Sequence, residues 1–326
     1  MKKKNVAVIM GGYSSEFEIS IKSGTVVSEA ISKDKYNVYP IHILKNNWFY
    51  KADDATQYEV NKSDFSFSDG KNTIKPDVIY NTIHGTPGED GLIQAYLKIL
   101  DIPQTSCEHY PAALTFNKRD CLSVLKNFGV RCANSYYINK GDVIDIENII
   151  KIVGLPCFVK PSKAGSSFGV SKVKNVEDFD IAFKKAFEED NEILIETALV
   201  GVEVSVGAMR TKDAVFVFPP TEIVSENEFF DYEAKYLGKS QEITPARISE
   251  TETEKVILET ERIYQLLNLS GITRTDFIIQ DGEPFFIEVN TNPGVSKESI
   301  IPKQAAAIGM SLTELFGKAI EQALGE

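Results

Sequence analysis

Residues 5–18, NVAVIMGGYSSEFE, decide the fold. A β-branched and apolar run, Asn5 to Met10, meets two glycines and then a helical spacing of apolar residues at Ile19, Val26, Val27, Ala30 and Ile31. That is strand, glycine loop, helix. The same order recurs at Asp77–Ile83 (DVIYNTI), HGTPGEDG and a helix with Leu92, Ile93, Tyr96, Leu97 and Leu100 on its apolar stripe. Alternating strands and helices imply a parallel sheet, with the ligand crevice beyond the strand carboxyl ends. The stretch from about Asn46 to Lys75 is polar and poorly periodic and reads as an irregular excursion.

Further along, Asn117–Phe128 reads as a helix ended by Gly129, and Pro156–Val173 as strand, glycine-rich turn, strand. Val176–Glu188 reads as an amphipathic helix capped by Asn175. Strands follow from Ile193, then a polar and aromatic stretch, Ser225–Glu242. The last helix opens on a Ser311/Glu314 capping box and carries Leu312, Leu315, Phe316, Ala319, Ile320 and Ala323 on one stripe. The pattern divides the chain at 1–105, 106–194 and 195–326, α/β first and α+β afterwards.

The 326 residues are 43% apolar and 25% charged, enough for packed cores. A net charge of −12 disfavours nucleic acid and anionic membranes as partners. The apolar run after MKKK is too short for a signal peptide, and no stretch is long enough to span a bilayer, so a cytoplasmic location is expected. Cys107, Cys121, Cys132 and Cys157 form no CxxC pair, and the three histidines give no zinc spacing.

Two stretches carry chemistry. FVKPSKAGSSFGVSKV sets Lys160 at a strand end and Gly165, Ser166, Ser167 and Gly169 in the next loop, where small residues let backbone amides approach phosphate. It contains no Walker A sequence, and an ordinary hairpin turn is its conformational alternative. In TRTDFIIQDGEPFFIEVNTNPG, a three-residue loop (Gln280, Asp281, Gly282) is expected to set Asp276 opposite Phe286 and Arg274 opposite Glu288. Phe286, Glu288 and Asn290 then share a face, and Asp276, Glu288 and Asn290 converge as oxygen ligands suited to Mg²⁺, with Glu288 able to bridge two ions. A salt-bridged, half-exposed hairpin is the alternative.

The loops GGYSSEFE and HGTPGEDG end strands and begin helices, whose free N–H groups suit a carboxylate. Ser15 with Glu18 also reads as a capping box, and an acid such as Glu16 is favourable at a helix amino end regardless of function.

Taken in order, GGYSSEFEIS, HGTPGEDG, FVKPSKAGSSFGVSKV, EILIETALVGVE, FDYEAKYL, TRTDF and FIEVNTNPG resemble the D-alanine:D-alanine ligases, ATP-grasp enzymes, over essentially the whole chain. The resemblance implies an ATP-grasp fold with an amino-terminal substrate domain (1–105), a central ATP-binding subdomain (106–194) and a carboxy-terminal domain with metal site and lid (195–326). It implies that ATP drives the joining of two D-alanines through an acyl phosphate, with Mg²⁺ (two ions) or Mn²⁺, in a homodimer. Lys118 and Lys160 would touch ATP phosphates and Lys235 the γ-phosphate, while Glu196, Leu199 and Glu203 would hold adenine and ribose. Glu16 would meet the first ammonium and His84 the carboxylate that is phosphorylated. Arg274 and the Gly294 amide would stabilise the oxyanion, and Ser299 with the Ile300 amide would bind the second carboxylate. Ser166 and Tyr236 would join Glu16 in a hydrogen-bonded group tying the 225–242 lid to the substrate domain.

Thr197, Ala164 and Arg247 depart from the family pattern. The other readings are a ligase joining D-alanine to a D-hydroxy acid, against which Tyr236 speaks; a nicotinamide oxidoreductase, which lacks GxGxxG; and a silent nucleotide-binding module.

Overall fold

The computed structural model describes residues 3–165, 168–212, 214–225 and 240–326. Strand β1 (Lys4–Gly11) lies between β2 (Tyr36–Ile43) and β7 (Val78–Asn81), parallel to both, as the two strand–loop–helix units require. Helix α1 (Phe17–Ala30) packs on this sheet through Val27 and, at its end, Ile31 of the expected stripe, with the small residues Ser20, Ser23, Gly24 and Ser28 buried beside them; a Cβ on Gly24 would sit 2.6 Å from that of Met10. Ile19 and Val26, at the edge of the stripe, also line the cleft described below. Helix α2 (Leu92–Ile99) buries Ile93, Gln94 and Leu97 but leaves Leu92 exposed, so the expected stripe is narrower by one residue.

The 46–75 stretch is not irregular. Strand β3 (Trp48–Lys51) extends the first sheet antiparallel to β2, β4 (Gln57–Glu59) follows antiparallel to β3, and β5 (Phe67–Ser68) pairs with β6 (Thr73–Ile74). Its strands are only two to four residues long, too short to show a period. Their aromatic residues meet in space, with Trp48 edge-on to Tyr96 and Tyr39 edge-on to Tyr50 and Phe67.

Helices α3 (His109–Phe116) and α4 (Lys118–Asn127) follow; the Asn117 side chain caps α4. A four-stranded antiparallel sheet, ordered β10-β9-β11-β8, is built from β8 (Ser135–Asn139), β9 (Cys157–Pro161), β10 (Ser171–Val173) and β11 (Glu192–Thr197). It is covered by α5 (Ile146–Val153) and α6 (Phe179–Glu189). The segment expected to be one helix from Val176 starts as a 3₁₀ turn, Val176–Asp178, closed by a reciprocal Asn175–Asp178 capping box.

The third sheet runs β15-β14-β12-β16-β17: β12 (Val202–Arg210), β14 (Thr221–Ser225), β15 (Ser240–Ile243), β16 (Ile272–Gln280) and β17 (Glu283–Asn290), with β13 (Val215–Val217) on β12. Helix α7 (Glu250–Leu266) backs it, and α3 and α4 share its core through Ala112 and through Cys121, Leu122 and Leu125, beside Phe277 and Phe286. Helices α8 (Ile300–Ala307) and α9 (Leu312–Leu324) return to the first sheet, where Phe316 packs edge-on against Tyr80. Ser311 caps α9 by accepting from Glu314 N–H. Among the described residues no helix is long and apolar enough to cross a membrane.

Candidate active site

The hairpin β16–β17 turns on two residues, Asp281 and Gly282, both at positive φ (53° and 74°), not on the expected three. This is the geometry that matches the twist of paired strands. Phe277 therefore faces Phe286 in the core. The ladder then skips Ile287: a bulge shifts the register so that Asp276 pairs with Glu288 and Arg274 with Asn290. Phe286 thus lies on the opposite face from Glu288 and Asn290, contrary to expectation, while Asp276, Glu288 and Asn290 do share one face.

That face floors a cleft of about 790 Å³ lined by Glu16, His84, Glu89, Lys118, Gly165, Arg274, Glu288, Asn290, Gly294, Ser299 and Ile300, among others. Glu16 stands at the N-cap of α1. The Ser15–Glu18 box does not form, because the helix begins only at Phe17 and Ser14 instead donates to His84 O at 2.9 Å. His84, three residues beyond β7, is buried; its Nε2 shares a 3.2 Å hydrogen bond with Ser23 Oγ, and burial lowers its pKa. The Asn292 amide donates to Ile83 O at 2.8 Å and ties the two strand ends together.

Arg274 grips Asp276 with both prongs, Nε at 2.9 Å and Nη2 at 2.8 Å, and Ser205 Oγ donates to the same carboxylate at 2.6 Å. Lys118, the first residue of α4, donates to Ala164 O at 2.8 Å and lies 3.3 Å from Glu288. Gly294 faces the Ser299 hydroxyl, which shares a 2.8 Å hydrogen bond with Ser296 Oγ; Ser299 is the N-cap of α8 and Ile300 its first residue. Gly165 brings the glycine-rich loop against Glu16, where a Cβ would come within 2.7 Å of Oε2.

Lys160 and Glu196 do not line this cleft. They form a buried ion pair across β9 and β11. Leu199 lies half-buried just after β11 and Glu203 on β12, next to Ser205 on the strand. Ser166, Lys235, Tyr236 and most of the 225–242 stretch lie outside the described residues. Among the described residues no three His, Cys, Asp or Glu side chains are placed to share one ion; the set on β16–β17 is two carboxylates and an amide.

Each departure has a local partner. Thr197 Oγ1 donates to Val153 O at 2.7 Å, at the end of α5. Ala164 serves through its carbonyl, and Arg247 forks onto Glu222 at 2.8 Å through both nitrogens. Sequence reasoning missed Ser23, Ser205 and Glu89. Serines carry no distinguishing spacing, but Glu89, an acid in a loop between strand and helix, was visible as a candidate.

Family models described as D-ala D-ala ligase N-terminus and C-terminus match residues 5–107 and 124–321. The D-alanine--D-alanine ligase of Flavobacterium johnsoniae is 55% identical over 98% of this chain and 99% of its own. Among solved structures, the VanG D-Ala:D-Ser ligase of Enterococcus faecalis is 30% identical, with a TM-score of 0.87 over 99% of this chain and all of that one. The D-alanine--D-alanine ligase of Bacillus anthracis complexed with ATP is 25% identical, with a TM-score of 0.80 over 98% and 97%. The fold is the α/β and α+β ATP-grasp fold expected from the motifs. Sequence match over both halves, full-length identity and shared architecture agree, and the chain belongs to the D-alanine--D-alanine ligase family.

Proposed function

We propose that this chain joins two D-alanines into D-alanyl-D-alanine for peptidoglycan synthesis, converting ATP to ADP and phosphate, as a cytoplasmic homodimer divided at 1–105, 106–194 and 195–326. The observation that carries the reading is the single cleft in which Glu16 and His84 from the first sheet face Arg274, Gly294 and Ser299 from the third.

Glu16 offers a carboxylate to the first ammonium and so points that amino acid's carboxylate toward His84 and Arg274. That carboxylate attacks the γ-phosphorus, giving an acyl phosphate and ADP. The second amine adds to the acyl carbon, Arg274 and the Gly294 N–H stabilise the tetrahedral oxyanion, and phosphate leaves. Ser299 and the open amino end of α8 hold the second carboxylate. Lys118, Lys160 and Lys235 meet phosphates, Glu196, Leu199 and Glu203 the nucleoside, and Ser166 with Tyr236 links Glu16 to a lid.

The all-oxygen set Asp276, Glu288 and Asn290, on one face and already facing the cations Arg274 and Lys118, fits Mg²⁺ or Mn²⁺, which would neutralise phosphate charge there. The deciding experiment measures phosphate release and identifies the product with D-alanine alone and with added D-lactate or D-serine. D-alanyl-D-alanine formed only with D-alanine, ATP and divalent metal supports the reading; ATP hydrolysis without an amide product overturns it.

A further inference from the structure

Glu89 is a buried acid of the cleft with no part in the reaction just described. It is 8% exposed, and its Oε2 accepts from the Gly85 N–H at 2.7 Å while its own N–H donates to Gly85 O at 2.8 Å. The loop His84–Glu89 is thereby closed from both ends. Gly88 O is fixed in turn by Asn81 Nδ2 at 2.9 Å and Gln94 Nε2 at 2.6 Å. What the closed loop presents to the cleft is His84 on one side and, on the other, Gly85, whose Cα points at Ser14 and at Glu16 Oε2.

We propose that Glu89 is a positioning residue for the first amino acid: as the hydrogen-bond acceptor of the Gly85 N–H, it sets the distance between His84 and Glu16. The inference rests on the ligase reading. Its logic is electrostatic. Glu16 must be the carboxylate that the substrate ammonium meets, and a second ionised acid behind it would repel the substrate's own carboxylate and compete for Arg274. Glu16, Arg274 and Glu288 act on Glu89; burial first, and then the Glu16 charge, push its carboxyl up to about 8.

The test uses the full-length enzyme, with Glu89→Gln and Glu89→Ala compared to wild type by KM for the first D-alanine, KM for ATP, kcat and pH profile. Glu89→Gln keeps the acceptor and loses only the ability to ionise, so its constants should stay within about threefold of wild type. Glu89→Ala should raise the first D-alanine KM by roughly tenfold with ATP KM unchanged, the scale of one buried hydrogen bond. Glu89→Gln as impaired as the alanine variant, or both indistinguishable from wild type, overturns the proposal. Should Glu89→Ala fail to fold, Glu89→Gln alone still decides between acceptor and charge. Absence of dipeptide synthesis by the wild type would fail the ligase reading instead.

Discussion

Asp276 stands directly opposite Glu288 even though the hairpin between them turns on only two residues. In an unbroken ladder from the Phe277–Phe286 pair, Asp276 would meet Ile287, and Glu288 would fall opposite Thr275 on the core face. Skipping Ile287 moves Glu288 and Asn290 to the cleft and returns Val289 to the core, where it is 6% exposed. Turn and bulge together, rather than loop length alone, align the oxygen donors.

The turn therefore depends on backbone conformation at Gly282, where a Cβ would touch nothing within 4 Å. The only cost of Gly282→Ala is positive φ, about 1 kcal/mol. Urea unfolding should show that loss with unchanged activity in folded protein, and Asp281→Asn should be neutral. A loss of activity at constant stability would place the turn in the chemistry instead.

How far this site was legible follows from the same strands. Asp276, Glu288 and Asn290 are poor strand formers among apolar neighbours, which marked them in the sequence. The bulge was silent because Phe285, Phe286 and Ile287 are all apolar, so no alternation records which is skipped. The parallel strands β1 and β7 announced themselves as apolar runs, whereas β3 to β6 are two to four residues long, too short for a period to register. Buried serines left no trace at all: Ser23 holds His84 and Ser205 holds Asp276, and both roles arise from tertiary proximity.

Arg274 binds Asp276 through two parallel hydrogen bonds, a grip that a lysine cannot reproduce. If its guanidinium also meets the oxyanion, Arg274→Ala should lower kcat by roughly 10²- to 10³-fold. Steady-state kinetics should show the ATP KM changing far less; a variant weakened only in nucleotide binding would exclude the oxyanion role.

Arg247 holds the Glu222 carboxyl below the usual carboxylate range through a charge-assisted hydrogen bond. A depressed folded pKa contributes stability above the unfolded value, about 4.3, and that contribution is lost as pH falls through the folded one. Melting curves of Arg247→Ala should thus lie slightly below wild type at pH 7, and the gap should close on acidification below about pH 4. The Arg247 side chain is 63% exposed, so screening keeps the gap small. A gap independent of pH would locate the effect elsewhere.

Lys160 and Glu196 are diagonal neighbours on β9 and β11, since Lys160 pairs with Leu194 and Glu196 with Phe158. Their side chains are 12% and 5% exposed, so each neutralises a charge that water does not reach. Removing one partner of such a pair leaves an uncompensated buried charge and costs about 3–5 kcal/mol, whereas replacing both with neutral groups is often harmless. Lys160→Met should therefore lower the melting temperature markedly, and Lys160→Met with Glu196→Gln should restore it. Phosphate binding follows a different rule, because it needs the cation itself. If Lys160 meets ATP phosphates, the ATP KM should rise in the single variant and, in the stable double variant, stay above that of Glu196→Gln alone, which carries the same change on the nucleoside side, with the D-alanine KM values little changed. Recovery of the ATP KM along with stability would show that Lys160 serves the sheet and not the nucleotide.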